Sequence, residues 1–284
     1  MKQTILLFFI IALGTNSIFG QHFTSRQTQN KTPFVLGTIN KIQSMELSER
    51  RTLNIYLPEG YSPDSAITYP VIYLLDGSAN EDFVHVVGVV QFLTMIAAMP
   101  ASIIVGIANV DRKRDFTFAT TVGQDKKDYP TTGSSAKFMA FIEKELQPFI
   151  QKKYKTNTVA TIIGQSLGGL FATEVLLKKP GLFNNYIIVS PSLWWDNESL
   201  LATAPTWLKT PADHNIQVYI SVGSEGKKME GDAKQLAEIL NASGKTNWHT
   251  DFVPLPDENH LTILHNAVYK ALQALNIKKA EQKK

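Results

Sequence analysis

The 284-residue chain contains no cysteine. It can therefore form no disulfide, use no thiol nucleophile and hold no metal through sulfur. It also lacks an apolar run of the ~20 residues that a membrane-spanning helix needs; the longest candidate, Ile5 to Leu13, is too short. Charge of one sign is scarce, because 28 Lys and Arg face 25 Asp and Glu for a formal net charge of +3. Part of that surplus lies in Lys278 to Lys284, which gives no case for nucleic acid or an anionic membrane as partner. Internal repeats, low-complexity tracts and long linkers are absent too, so one folded domain is expected.

The N-terminal layout supplies a different reading of its apolar run. Lys2 precedes Ile5–Leu13, and small or polar residues continue to Gly20, the arrangement of a secretory signal peptide. Residues 1–20 are expected to be removed, residues 21–33 to be a flexible lead, and residues 278–284 to be a disordered basic tail. The product would be periplasmic or extracellular, with no stable membrane insertion. Without disulfides it must rely on its core, and its length is ample for one.

Residues 34–57 alternate apolar and polar, as antiparallel edge strands do, with Ser48-Glu49-Arg50-Arg51 expected as their turn. Tyr69 to Leu75 and Ser102 to Ala108 are nearly continuous apolar runs, the pattern of strands buried on both faces. Helices are expected over 83–99, 137–154, 232–241 and 261–275, and further strands over 159–163, 186–189, 216–222 and 250–253. Strands alternating with helices imply an α/β fold, a mainly parallel sheet covered on both faces, with functional groups in the loops at the strands' carboxyl ends.

The stretch Ile162-Ile163-Gly164-Gln165-Ser166-Leu167-Gly168-Gly169 stands at the centre of that pattern. An apolar strand runs into Gly-x-Ser-x-Gly and a helix follows at once, the context of a strained turn that exposes a nucleophilic serine. Glycines at 164 and 168 are expected to permit close approach, and the Leu167 amide to face charge forming beside Ser166. A serine hydroxyl needs a base, and the order serine, acid, histidine restricts the choice. His260 lies in the polar loop before the last helix, with His265 as its rival about a turn further on. Glu225, just past the strand over 216–222, suits the acid, with Asp232 and Asp257 as alternatives. Gly77 and Ser78, after the first central strand, are candidates for the second oxyanion donor, while Asp76 is expected to tie down that loop. Arg112 and Arg114 can pair with anionic substrate groups or with Asp111, Asp115 or Glu81 to hold their own loop. Trp194 and Trp195 can wall a substrate pocket or plug the core.

These motifs, together with Arg50–Pro58, Tyr69–Gly77, Arg112–Thr117 and Ser190–Trp195, resemble the esterase D-like family of α/β-hydrolases. Within it the chain most resembles the ferric enterobactin esterase-like branch, over roughly residues 34–275 of an expected esterase domain at 34–277. The resemblance implies the α/β-hydrolase fold and hydrolysis of carboxylic esters without metal or organic cofactor. It also implies Ser166 as nucleophile, His260 as base, Glu225 as acid, and Leu167 with Gly77–Ser78 as oxyanion hole. The substrate would be a small-molecule or glycan-linked ester, of siderophore or acyl and feruloyl type; oligomeric state is left open. Two other readings share the fold: an acyltransferase using the same acyl-enzyme, and a catalytically silent protein that binds through the tryptophan loop.

Overall fold

A computed structural model of the chain describes residues 31–211 and 214–281, with side chains to residue 276. The expected signal peptide, and most of the lead after it, lie outside the described residues. The chain divides into residues 1–35 and residues 36–284, and the architecture below belongs to the second part.

Eight strands form one sheet: β1 (Thr38–Ser44), β2 (Glu49–Tyr56), β3 (Tyr69–Leu74), β4 (Ile103–Ile107), β5 (Thr156–Gln165), β6 (Asn185–Val189), β7 (Ile216–Ser221) and β8 (Trp248–Phe252). Their order is β1-β2-β4-β3-β5-β6-β7-β8. β1 and β2 are antiparallel to their neighbours, and the six strands β3 to β8 run parallel. The helices are α1 (Phe83–Met95), α2 (Arg112–Phe116), α3 (Gly123–Asp128), α4 (Ser135–Phe141), α5 (Gln147–Lys153), α6 (Leu167–Lys178), α7 (Trp195–Trp207), α8 (Gly226–Asn241) and α9 (Ile263–Glu281).

Period-two alternation divides the sheet between two cores. Ile162, Tyr186 and Ile188 point into one with α4 to α8, whereas Ile163, Ile187 and Val189 point into the other with α1 and α9. Both faces of β3, β4 and β6 are thereby buried, which is why those strands are almost entirely apolar, Asn185 at the start of β6 excepted. Register then sets the functional edge. Leu74 pairs with Ile163, Gln165 with Val189 and Val189 with Ser221. The residues that follow these strands, Asp76, Ser166, Ser190 and Gly223–Glu225, therefore emerge along one end of the sheet.

Several boundaries differ from expectation. The turn joining β1 and β2 is residues 45–48, and Glu49–Arg51 open β2. Arg51 is fully buried there, because its guanidinium bonds Asp115 at 2.6 Å and Glu49 at 2.8 Å. The expected helix over 137–154 is α4 and α5 joined by a π-helical segment, Ile142–Leu146, in which the Gln147 N–H reaches Ile142. Pro148, which brings no N–H, follows at once. α8 begins at Gly226 rather than 232, since its first turns are polar and exposed. α2, α3 and α7 were not foreshadowed: two are short, and α7 carries Pro205 and a left-handed stretch at Asp196–Glu198. α9 continues to Glu281, so residues 278–281 are helical where a disordered tail is expected. Among the described residues no helix is long and apolar enough to cross a membrane.

Candidate active site

Ser166 stands between β5 and α6 with φ 60° and ψ −120°. A residue with a side chain held there costs about 1–3 kcal/mol, so its surroundings must enforce it. The Ser166 N–H donates to Val189 O (3.0 Å), and its carbonyl accepts from the Leu170 N–H (2.9 Å) and the Ser192 N–H (3.0 Å). A Cβ on Gly164 would lie 2.3 Å from Gly168 O, and one on Gly169 would lie 2.9 Å from Pro191 Cα. Gly168 is different: a Cβ there would make ordinary contact, 3.4 Å from Asp76 Oδ2. The close approaches fall at 164 and 169, not at 164 and 168.

The loops after β7 and β8 meet beside this turn. Gly223 lacks the Cβ that would lie 2.6 Å from Glu258 O, and the Ser224 N–H donates to that carbonyl at 2.7 Å. Glu225 Oε2 lies 2.5 Å from His260 Nδ1. Its other oxygen accepts from the Gly223 N–H at 3.0 Å and from the Ser190 hydroxyl. Burial opposes ionisation of Glu225, but the bonds from His260, Ser190 and Gly223, with the charge of His260, outweigh it and hold the carboxyl below its ordinary range. The Gln165 side-chain amide donates to His260 O at 2.5 Å, fastening the histidine loop to the residue before Ser166.

Ser166, Ser192, Glu225 and His260 line one cleft of about 500 Å³, walled by Tyr129, Trp194 and Met229. Within it the Ser166 hydroxyl lies 3.3 Å from that of Ser192, its hydrogen-bond partner in this state. The alternatives for base and acid lie elsewhere. His265 is exposed and lies tilted against His85, with ring centroids 5.7 Å apart. Asp232 pairs with Lys228 at 3.1 Å on α8, and Asp257 is exposed.

The oxyanion candidates separate in the same way. Leu167 N–H opens α6 and has no intrahelical partner. Gly77 packs so closely on β4 that its Cβ would lie 2.4 Å from Gly106 Cα, and its N–H donates to Ile107 O at 3.0 Å. That commitment corrects the expectation for Gly77; Ser78, half-buried beside it, has no partner for its N–H among the described residues.

Nearby residues in the two remaining stretches also part company. Arg112 grips Asp76 with Nε at 2.7 Å and Nη2 at 3.0 Å, and donates to Gln165 O at 3.2 Å. It borders a second cleft of about 340 Å³ that shares Ser166 and His260 and also holds Glu81 and Asp82. Arg114 points away into the Arg51 cluster, bonding Glu49 at 2.6 and 3.0 Å and Asp115 at 2.8 Å. These bonds raise its own pKa, and bonds from Arg114 and Arg51 lower that of Glu49 against the opposing effect of burial. A substrate contact for Arg114 is thus corrected to a structural ion pair. Trp194 walls the cleft, whereas Trp195 is fully buried, donates to Phe118 O at 3.0 Å and meets Tyr129 edge-on at 5.3 Å. For Trp195 the core plug is the correct reading.

Ser190, Ser192 and Gln165 belong to this site but carried no role in the sequence. The available signal was Ser190-Pro191-Ser192 itself, hydroxyls at the end of the strand beside the nucleophile strand.

Comparison with known proteins identifies the family. The family model described as "Putative esterase" matches residues 44–261. The ferri-bacillibactin esterase BesA of Bacillus subtilis is 31% identical over 249 residues, 80% of this chain and 85% of its own. The crystal structure of an IroE-like serine hydrolase from Shewanella oneidensis has TM-score 0.77 at 30% identity, covering 84% of this chain and 80% of that one. That of the BES protein from Bacillus cereus has TM-score 0.75 at 30% identity, covering 86% and 97%. With a strained serine at the sheet's carboxyl edge and a family match across most of its length, the chain belongs to this esterase family and is a carboxylic ester hydrolase of the α/β-hydrolase fold.

Proposed function

We propose that the protein is an exported serine esterase acting through a Ser166–His260–Glu225 triad and an acyl-enzyme. The observation that carries this reading is the convergence of the strained Ser166 and the Glu225–His260 pair on one cleft. His260, oriented by Glu225 through Nδ1, takes the Ser166 proton at Nε2 as Oγ attacks the ester carbonyl. The oxyanion is held by the N–H groups of Leu167 and Ser78, each worth about 3–4 kcal/mol of barrier. His260 then gives its proton to the departing alcohol. A water deprotonated by His260 attacks the acyl-serine, and Ser166 regains its proton as the acid leaves. The resting bond of Ser166 to Ser192 breaks on substrate binding, since catalytic hydrogen bonds often form only in the complex.

For the substrate we propose a siderophore-type ester with an aromatic acyl group. Tyr129 and Trp194 offer flat apolar faces beside Ser166, and a relative matched over 85% of its own length is a ferri-bacillibactin esterase. Arg112 does not provide an anion site, because its charge is matched by Asp76. Export rests on Lys2 and the apolar run Ile5–Leu13.

The test is a hydrolysis panel on residues 21–284: p-nitrophenyl acetate, methyl ferulate, acetylated xylan and a catecholate trilactone, each with wild type and Ser166→Ala. The expected result is fastest turnover on the trilactone, abolished by Ser166→Ala. Turnover that survives the substitution would overturn the mechanism, and a preference for acetylated xylan would overturn the substrate.

A further inference from the structure

The acid–base pair explains what Glu225 Oε2 does, but its other oxygen is held as firmly. Oε1 accepts from the Gly223 N–H and from the hydroxyl of Ser190, a residue with no exposed surface at the end of β6. The Glu225 side chain is only 4% exposed, so water cannot readily replace a missing donor.

The backbone of Ser190 gives a second, independent sign. Its φ is +43°, in the left-handed region where glycine and asparagine are at ease and serine is not. The position is fixed by the sheet: the Ser190 N–H continues the β6–β7 ladder to Ser221 O at 2.8 Å, and Pro191 follows. A glycine would satisfy the same backbone without strain. What glycine lacks is the hydroxyl, and the hydroxyl reaches Glu225.

We propose that Ser190 is a positioning residue for the reaction: its buried hydroxyl holds the Glu225 carboxylate so that Oε2 faces His260 Nδ1. This rests on the triad reading above. Two donors on Oε1 leave the carboxylate one orientation, and Oε2 is then the oxygen presented to the imidazole. The titratable neighbours of Glu225 are His260, Glu230, whose carboxylate accepts the Glu225 and Gly226 N–H groups at 2.9 Å, and Glu258, whose carbonyl packs on Gly223. None of them supplies a donor that could replace the Ser190 hydroxyl at Oε1.

Comparing Ser190→Gly with Ser190→Ala separates the hydroxyl from the strain. Alanine keeps the strain, glycine relieves it, and both delete the donor. The expected result is that kcat falls about ten- to a hundredfold in both variants, the kinetic equivalent of one hydrogen bond to a charged group. KM should change little and the acid limb of kcat/KM should move to higher pH in both, while Tm is higher for glycine than for alanine. If activity instead follows Tm, with glycine near wild type and alanine impaired, Ser190 serves the fold alone and the proposal fails. Unchanged kcat and acid limb in both variants would also overturn it. Glu225→Gln and Ser166→Ala are measured alongside: wild-type turnover in either would mean that the triad reading itself has failed, whatever Ser190 does.

Discussion

The two ends of the sheet hold clefts of comparable size and opposite character. At the amino ends of β3 to β6 a pocket of about 350 Å³ is lined by Ile67, Ile72, Met99, Leu272 and Leu275, with no Asp, Glu, His, Lys or Arg in its wall. On enclosure and apolarity it is the better ligand pocket. At the carboxyl ends lies the wetter cleft of Ser166, Glu225 and His260. There the neighbouring strands β3, β5 and β6 are each followed by a residue with a side chain at positive φ: Asp76 at 52°, Ser166 at 60° and Ser190 at 43°. Each of these has its side chain in the site's hydrogen-bond network, Asp76 on Arg112, Ser166 on Ser192 and Ser190 on Glu225. Strain concentrated where polar side chains converge is a better guide to chemistry here than the size of an apolar cavity.

The sharpest contrast comes from Glu225→Gln, expected to lower kcat by about 10³–10⁴-fold, since the histidine would lose its orienting charge. The same variant has a pH signature. Glu225 ionises in the fold below its ordinary value of 4.5, so its charge stabilises the protein above that value. That stability is lost as pH falls through the depressed value, and the Tm of wild type and variant should converge at acid pH. Arg112→Ala should come next, with kcat/KM down about ten- to a hundredfold, because it frees both the Asp76 loop and the Gln165 carbonyl. Arg114→Ala, two residues away, should leave kcat/KM unchanged while costing about 1–2 kcal/mol in urea unfolding. Trp194→Ala should raise KM for aromatic esters about tenfold with a smaller change for acetate esters. Filling the amino-end pocket with Ile67→Trp should have the smallest effect, with kcat/KM within about twofold of wild type; a larger loss would show that the apolar pocket takes part.

The positions that converge in the cleft are legible in the chain because their signals are local. Gly164-Gln165-Ser166-Leu167-Gly168 sits between an apolar run and a helix, and Glu225 and His260 follow strands in the order the fold requires. What is not legible depends on partners distant in sequence. Gly77 and Ser78 look alike as loop residues, yet only Gly77 meets Gly106 and Ile107 across β3 and β4. Arg112 and Arg114 stand on one short helix, and which of them borders the cleft depends on Glu49 and Asp76 lying to opposite sides. Trp194 and Trp195 are chemically identical and both meet Tyr129; they part where Trp195 alone donates to the Phe118 carbonyl and is buried. Arg51 resembles a turn residue until Asp115 is found beside it in the core.

The central claim is that Ser166 is the nucleophile, and covalent labelling tests it most directly. A fluorophosphonate added to residues 21–284 should give one adduct by intact mass, located on Ser166 by peptide mapping and absent in Ser166→Ala. Labelling should also slow in Glu225→Gln, where the serine is no longer activated. An adduct on another residue, or turnover undiminished while Ser166 stays unlabelled, would contradict the account.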